Sequence, residues 1–174
     1  MAVSIQQFVG ALQQHRRRLF HFTDHRNIPS ISEHGLLPTR TISDRGVVVV
    51  TGGDAGSLLI DRQKGLDAFV SFSFCRSHPM AHVAQAEGRI EAVRILTICP
   101  SVLLRPGVLF SDQVATANAA KIAAPEEMIS LMDLSATYQR LDWKTADGQQ
   151  RRAAAEKWEA LVPEVIPPEL IFGL

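Results

Sequence analysis

In the segment LFHFTDHRN, Leu19 to Asn27, His21 and Thr23 stand two residues apart, so a strand would carry both on one face. An imidazole and a hydroxyl so placed could hydrogen-bond a ligand laid along the strand edge, and Asn27 could brace the turn or cap the next helix. Taken alone, this segment is better explained as ordinary strand composition with a satisfied, half-buried histidine. In FSFCRSHPM, Phe72 to Met80, a phenylalanine-rich strand runs out into Arg76, Ser77 and His78 before Pro79 stops it. Polar groups at a strand end sit on a rim held by a rigid sheet. The planar fork of Arg76 suits a diphosphate, although a surface arginine leading a turn is an equal account.

Glu159 starts a strand-like run, EALVP, directly after Trp158. A carboxylate among apolar neighbours is a candidate catalytic group, against the alternative of a protective charge on an edge strand. Glu156 and Glu164 read as solvated helix and loop charges. The preceding stretch, YQRLDWKTADGQQRR, mixes Tyr138 and Trp143 with Arg140, Lys144, Arg151 and Arg152. Aromatics interleaved with bases suit single-stranded nucleic acid, although a helix hairpin has the same composition.

Periodicity supplies the elements that must hold these groups. Ile5, Phe8, Val9 and Leu12 at helical spacing predict a helix over 4–17, followed by a strand over 18–23 and a helix over 27–34 that closes at Gly35. The β-branched run GVVVVTGGD (46–54) predicts a strand, and DAGSLLIDRQKG (54–65) a helix with an Asp cap and a Gly stop. Strands are predicted in 67–74, 91–99 and 107–112. Helices are predicted in TANAAKIAA, EEMISLMDL and DGQQRRAAAEKW. Short elements interspersed without βαβ repetition favour a single α+β domain over 1–174 with a mostly antiparallel sheet.

Composition narrows the class. The 174 residues carry 18 Lys plus Arg against 18 Asp plus Glu, so no strongly basic coat is present, although HRRR (15–18) and Arg151-Arg152 remain local basic candidates. Cys75 and Cys99 have neither metal-ligand nor disulfide spacing and read as buried thiols. No carboxylate–histidine cluster suits a metal hydrolase. GGDAG lacks both the dinucleotide fingerprint and a Walker lysine. The N-terminus is too polar for a secretory signal and no apolar run reaches membrane-spanning length, which predicts a cytoplasmic protein.

Taken in order, H-x-T with a following Asn, the Phe-rich strand ending in Arg-Ser and Pro-Met, FSD followed by Ala and Asn, and the late DW with E-x-L-V resemble the DarT family of DNA ADP-ribosyltransferase toxins. The resemblance runs from about Leu19 to Ile171. It implies an ADP-ribosyltransferase fold of two small, mostly antiparallel sheets pinching NAD, with flanking helices, no metal, single-stranded DNA as the target and a macrodomain antitoxin as partner. It also implies NAD contacts from His21, Phe22, Thr23, Asn27, Ser30, Pro38 and Arg76. Glu159 would be the catalytic glutamate, and Arg62, with Arg45 and Arg76 behind it, the active-site arginine. Residues 133–156 would form the substrate-recognition loop. The turn here reads Cys-Arg-Ser-His-Pro-Met where the family usually has Pro-Arg-Ser-Pro-Met, a shift that would turn Arg76 to the other face. The same fold acting on RNA, a free nucleotide or a protein, or a silent binding module, remains open on these residues.

Overall fold

The computed structural model describes residues 3–174. Its helices are α1 (Ile5–Gln14), α2 (Ile28–His34), α3 (Thr39–Arg45), α4 (Ala55–Lys64), α5 (Pro79–Ala86), α6 (Pro125–Met128), α7 (Leu134–Tyr138) and α8 (Ala146–Ala155). Its strands are β1 (Leu19–Asp24), β2 (Phe69–Ser73), β3 (Val93–Ile98), β4 (Leu109–Ser111), β5 (Ile122–Ala123), β6 (Glu159–Pro163) and β7 (Ile171–Phe172). They form one sheet in the order β5-β4-β6-β2-β1-β3-β7, with antiparallel neighbours throughout. This corrects the expectation of two small sheets.

The join between the halves of that sheet is narrow. β1 pairs β3 through six residues and β6 pairs β2 through five, but β1 meets β2 only at Phe20↔Ser73. Beyond that pair the imidazole of His21 takes over from the backbone ladder, its Nδ1 lying 3.0 Å from the Ser71 carbonyl oxygen. A cleft occupies this interrupted seam.

Local chemistry explains most of the elements. Ser4 and Gln7 close a reciprocal capping box at α1, which buries Ile5, Phe8, Val9 and Leu12. Phe8, Phe74 and Phe110 then pack edge to face, with centroids 5.0–6.3 Å apart, joining α1 to the centre of the sheet. Asp54 caps α4 and Gly65, at φ 71°, ends it. Cys75 is buried and Cys99 half-buried.

Three expected elements differ. Residues 46–54 pair with no strand; Val48 is 92% exposed, and Val50 is held by the Asn27 amide instead. TANAAKIAA (116–124) is a series of turns that runs into β5, and its start is held by tertiary partners: Lys64 Nζ donates to the carbonyls of Thr116, Ala117 and the preceding Ala115, whose N–H donates to Glu159. EEMISLMDL breaks after α6 into a 3-10 turn, which buries Met128, Ile129 and Met132 together. Three helices were not foreseen, among them α7. α3 follows Pro38, and α5 begins at Pro79, which starts a helix as readily as it stops a strand.

Candidate active site

The seam between β1 and β2 opens into a cavity of about 290 Å³. Phe20 to Thr23 line one wall and Ser71 to Ser73 the other. Ser30 and Ile31 of α2, Val49 to Gly53, Leu58 and Asp61 of α4, and His78 and Glu159 also line it.

Glu159 is held by one backbone hydrogen bond and faces an imidazole. It opens β6 opposite Ser73 of β2 and Ser111 of β4, and is only 8% exposed. Its Oε2 accepts the Ala115 N–H at 2.8 Å, and its Oε1 lies 3.2 Å from His78 Nε2. The Met80 N–H donates to His78 Nδ1 at 3.3 Å, so a neutral His78 carries its proton on Nε2, facing the glutamate. The Phe22 ring stacks on His78 at a centroid distance of 5.8 Å. Lys64 grips the same 115–117 turn that holds Glu159, so the end of α4 helps fix the carboxylate.

His21 is neutral for a physical reason. Burial pushes its pKa down; the Ser71 carbonyl opposes that shift and neighbouring His78 adds to it. With Nδ1–H donated to Ser71, Nε2 is left as an acceptor. Asn27 is fully engaged: its Nδ2 donates to Thr23 Oγ1 at 3.0 Å and to the Val50 carbonyl at 2.8 Å, while its Oδ1 accepts the Val50 N–H at 2.8 Å. It is a clamp fixing the 49–53 wall to β1. Thr23, accepting from Asn27, retains its hydroxyl proton for another partner. Gly52 lets that wall approach closely, since a Cβ there would stand 3.2 Å from the Phe22 ring and 3.0 Å from Ile90.

The expected residues therefore divide. His21, Phe22, Thr23, Asn27, Ser30 and Glu159 share the cavity, whereas Arg62, Pro38 and Arg76 do not line it. On α4 the cavity-facing residues are Leu58 and Asp61, and Arg62 is rotated about 100° from Asp61 into solvent. Pro38 is buried ahead of α3. Arg76 lies past the end of β2 and lines a separate recess. Arg45 is exposed at the end of α3. No arginine lines the cavity among the described residues.

Sequence reasoning missed Asp61 and underused His78. Burial and the nearby carboxylates of Glu159 and Asp67 raise the Asp61 pKa to about 6, against the opposing pull of Lys64. The i, i+3 spacing of Leu58 and Asp61 was the available signal. Residues 133–156 form α7 and α8 rather than an open loop. Asp133 caps α7 and takes a two-point contact from Arg151, which holds its carboxyl down at about 2. Trp143, in the connection between the two helices, is 63% exposed. Among the described residues no group of three or more His, Cys, Asp or Glu is placed to hold a metal, and no helix is long and apolar enough to cross a membrane.

Comparison with known proteins bears on the fold and the family. A DNA ADP-ribosyl transferase–DNA ADP-ribosyl glycohydrolase fusion protein of Thermosipho africanus is 24% identical over 166 residues, covering 91% of this chain and 42% of the fusion. The chain thus spans less than half the length of that relative. The Thermosipho africanus DarTG structure with ADP-ribose superposes with a TM-score of 0.68 at 23% identity, over 89% of this chain and 42% of that one. The Thermus sp. 2.9 DarT structure with ADP-ribosylated ssDNA gives 0.62 at 18% identity, over 89% of this chain and 78% of that one. Both likenesses establish the fold. The sequence profile described as "DarT: ssDNA thymidine ADP-ribosyltransferase, DarT" matches residues 20–174, and the chain belongs to that family.

Proposed function

We propose that the chain is a toxin-type transferase, acting as one domain in the cytoplasm. It moves ADP-ribose from NAD to a thymidine base of single-stranded DNA and releases nicotinamide. NAD lies in the β1/β2 seam. The Nε2 of His21 and the hydroxyl of Thr23 meet its polar groups, Phe22 offers a face for a ring, and Ser30 reaches from α2. Asn27 contributes by holding the wall in place. Arg62, Pro38 and Arg76 do not line the cavity and are not assigned NAD contacts in this reading.

Glu159 accepts a hydrogen bond from a hydroxyl of the nicotinamide ribose. As the bond from ribose C1 to the pyridinium nitrogen breaks, its electron pair leaves with nicotinamide and positive charge spreads over C1 and the ring oxygen. The carboxylate stabilises that charge, because its donors are set before the reaction and burial keeps water from screening it. A base nitrogen then forms the new bond to C1 and loses its proton.

The observation that carries this reading is the buried Glu159, held by the Ala115 N–H and facing His78 on the same cavity as His21 and Thr23. A glycohydrolase that removes ADP-ribose from DNA is the proposed antitoxin partner, since the Thermosipho relative joins both activities by name. The test offers labelled NAD with single-stranded DNA, duplex DNA, RNA or protein in separate reactions. Label is expected on thymidine of single-stranded DNA; label on RNA or protein alone would move the substrate.

A further inference from the structure

A second recess, of about 220 Å³, shares Phe20 with the catalytic cavity. Arg16, Arg17, Arg18, Arg76, Tyr138 and Arg152 line it. The chain as a whole is neutral, so gathering five guanidinium groups here is not a by-product of basic composition.

Among the described residues only Arg152 of these is neutralised locally, by Glu156 at 2.9 Å and the carbonyls of Ala136 and Thr137. Among the described residues Arg16, Arg17, Arg18 and Arg76 form no ion pair. Arg17 lies over the Tyr138 ring at 5.4 Å, and Arg18 over Phe172 at 4.6 Å. Among the described residues the buried Tyr138 hydroxyl has no hydrogen-bond partner, and a phosphate oxygen could accept from it.

Arg16 adds a second, independent observation. α1 ends in a paired turn, with Arg16 N–H donating to Gln13 and Arg17 N–H to Leu12. Its residue at φ 52° is an arginine where glycine would be unstrained. A locally unfavourable side chain kept at the lip of a basic recess suggests a use for the charge. These three N-terminal arginines also precede the residues matched by the family profile.

We propose that this recess grips a backbone phosphate of single-stranded DNA next to the nucleotide whose base enters the cavity past Phe20. The inference rests on the function proposed above and adds where the strand is held. Arginine forks meet the phosphate oxygens, and the Tyr138 hydroxyl donates to one of them.

The test measures binding of a fluorescent thymidine-containing single strand to the full chain across a salt series. Wild type is compared with Arg16→Gly and with Arg16→Gly/Arg18→Gln, and each is also tested for NAD affinity and thermal stability. For single strands each lost phosphate contact lowers the log–log salt slope by about 0.7, hence roughly five-fold weaker binding per arginine at 0.1 M salt. Arg16→Gly is expected to weaken DNA binding while raising Tm by roughly 2–4 °C, with NAD affinity unchanged. A merely structural arginine would not split those readouts. Wild type that labels DNA, with variants of unchanged affinity and slope, overturns this proposal alone. Wild type that labels only RNA or protein overturns the underlying function, and the DNA grip with it.

Discussion

Asn27→Ala removes three hydrogen bonds at once: Nδ2 to Thr23 Oγ1, Nδ2 to the Val50 carbonyl, and the Val50 N–H to Oδ1. At about 1 kcal/mol net for each bond, the loss is roughly 2–3 kcal/mol, allowing for water reaching the partly exposed Val50 groups. For a domain of this size that corresponds to a fall in Tm of roughly 4–10 °C. The 49–53 wall would also come loose from β1, so NAD affinity should fall. Amide hydrogen exchange isolates the cause. In Asn27→Ala the Val50 N–H loses its acceptor and exchanges faster, whereas Asn27→Asp keeps an acceptor oxygen there while losing both donated bonds. The two variants should therefore share weakened NAD binding but differ at the Val50 amide. Equal Val50 exchange in both variants and wild type, with Tm unmoved, would refute the clamp.

Asp61 gives a pH-dependent prediction. Its pKa rises from 3.8 to about 6 on folding, so the fold favours the neutral acid and loses stability as pH climbs through that window. Asp61→Asn should stabilise the protein above pH 6 by on the order of 1 kcal/mol, after discounting for solvent screening, and leave it unchanged below about pH 4. An equal difference in Tm at both ends of the range would contradict this. Lys64→Met releases the 115–117 carbonyls and loosens the Ala115 N–H on Glu159. It should lower kcat roughly ten-fold while leaving KM for NAD near wild type, because the lost positioning acts on the charge that develops during reaction. A rise in KM at constant kcat would place Lys64 in ground-state binding instead.

Legibility in the sequence followed how local the cause was. α1, β1, α2 and α4 are written in caps, glycine stops and periodicity, and their observed limits lie within a few residues of expectation. The position of Glu159 at the start of β6 was legible because a carboxylate interrupts an apolar strand start. The single sheet was not, since one register pair, Phe20↔Ser73, decides between one sheet and two. Residues 47–50 have strand composition but pair with no strand among the described residues, and the Asn27 amide holds Val50 instead. The alanine-rich stretch at 115–120 failed as a helix because Lys64, fifty residues away, binds its carbonyls. Arg62 does not line the cavity, because the helical phase of α4 turns its neighbour Asp61 there instead.

The most direct test of the central claim is Glu159→Gln with labelled NAD and a thymidine-containing single strand, alongside NAD titration of the same variant. Glutamine keeps the shape and the acceptor for Ala115 but removes the negative charge. The expected result is at least a hundred-fold loss of label transfer with NAD still bound and the fold retained. Transfer at the wild-type rate would show that Glu159 is not the group on which the chemistry depends.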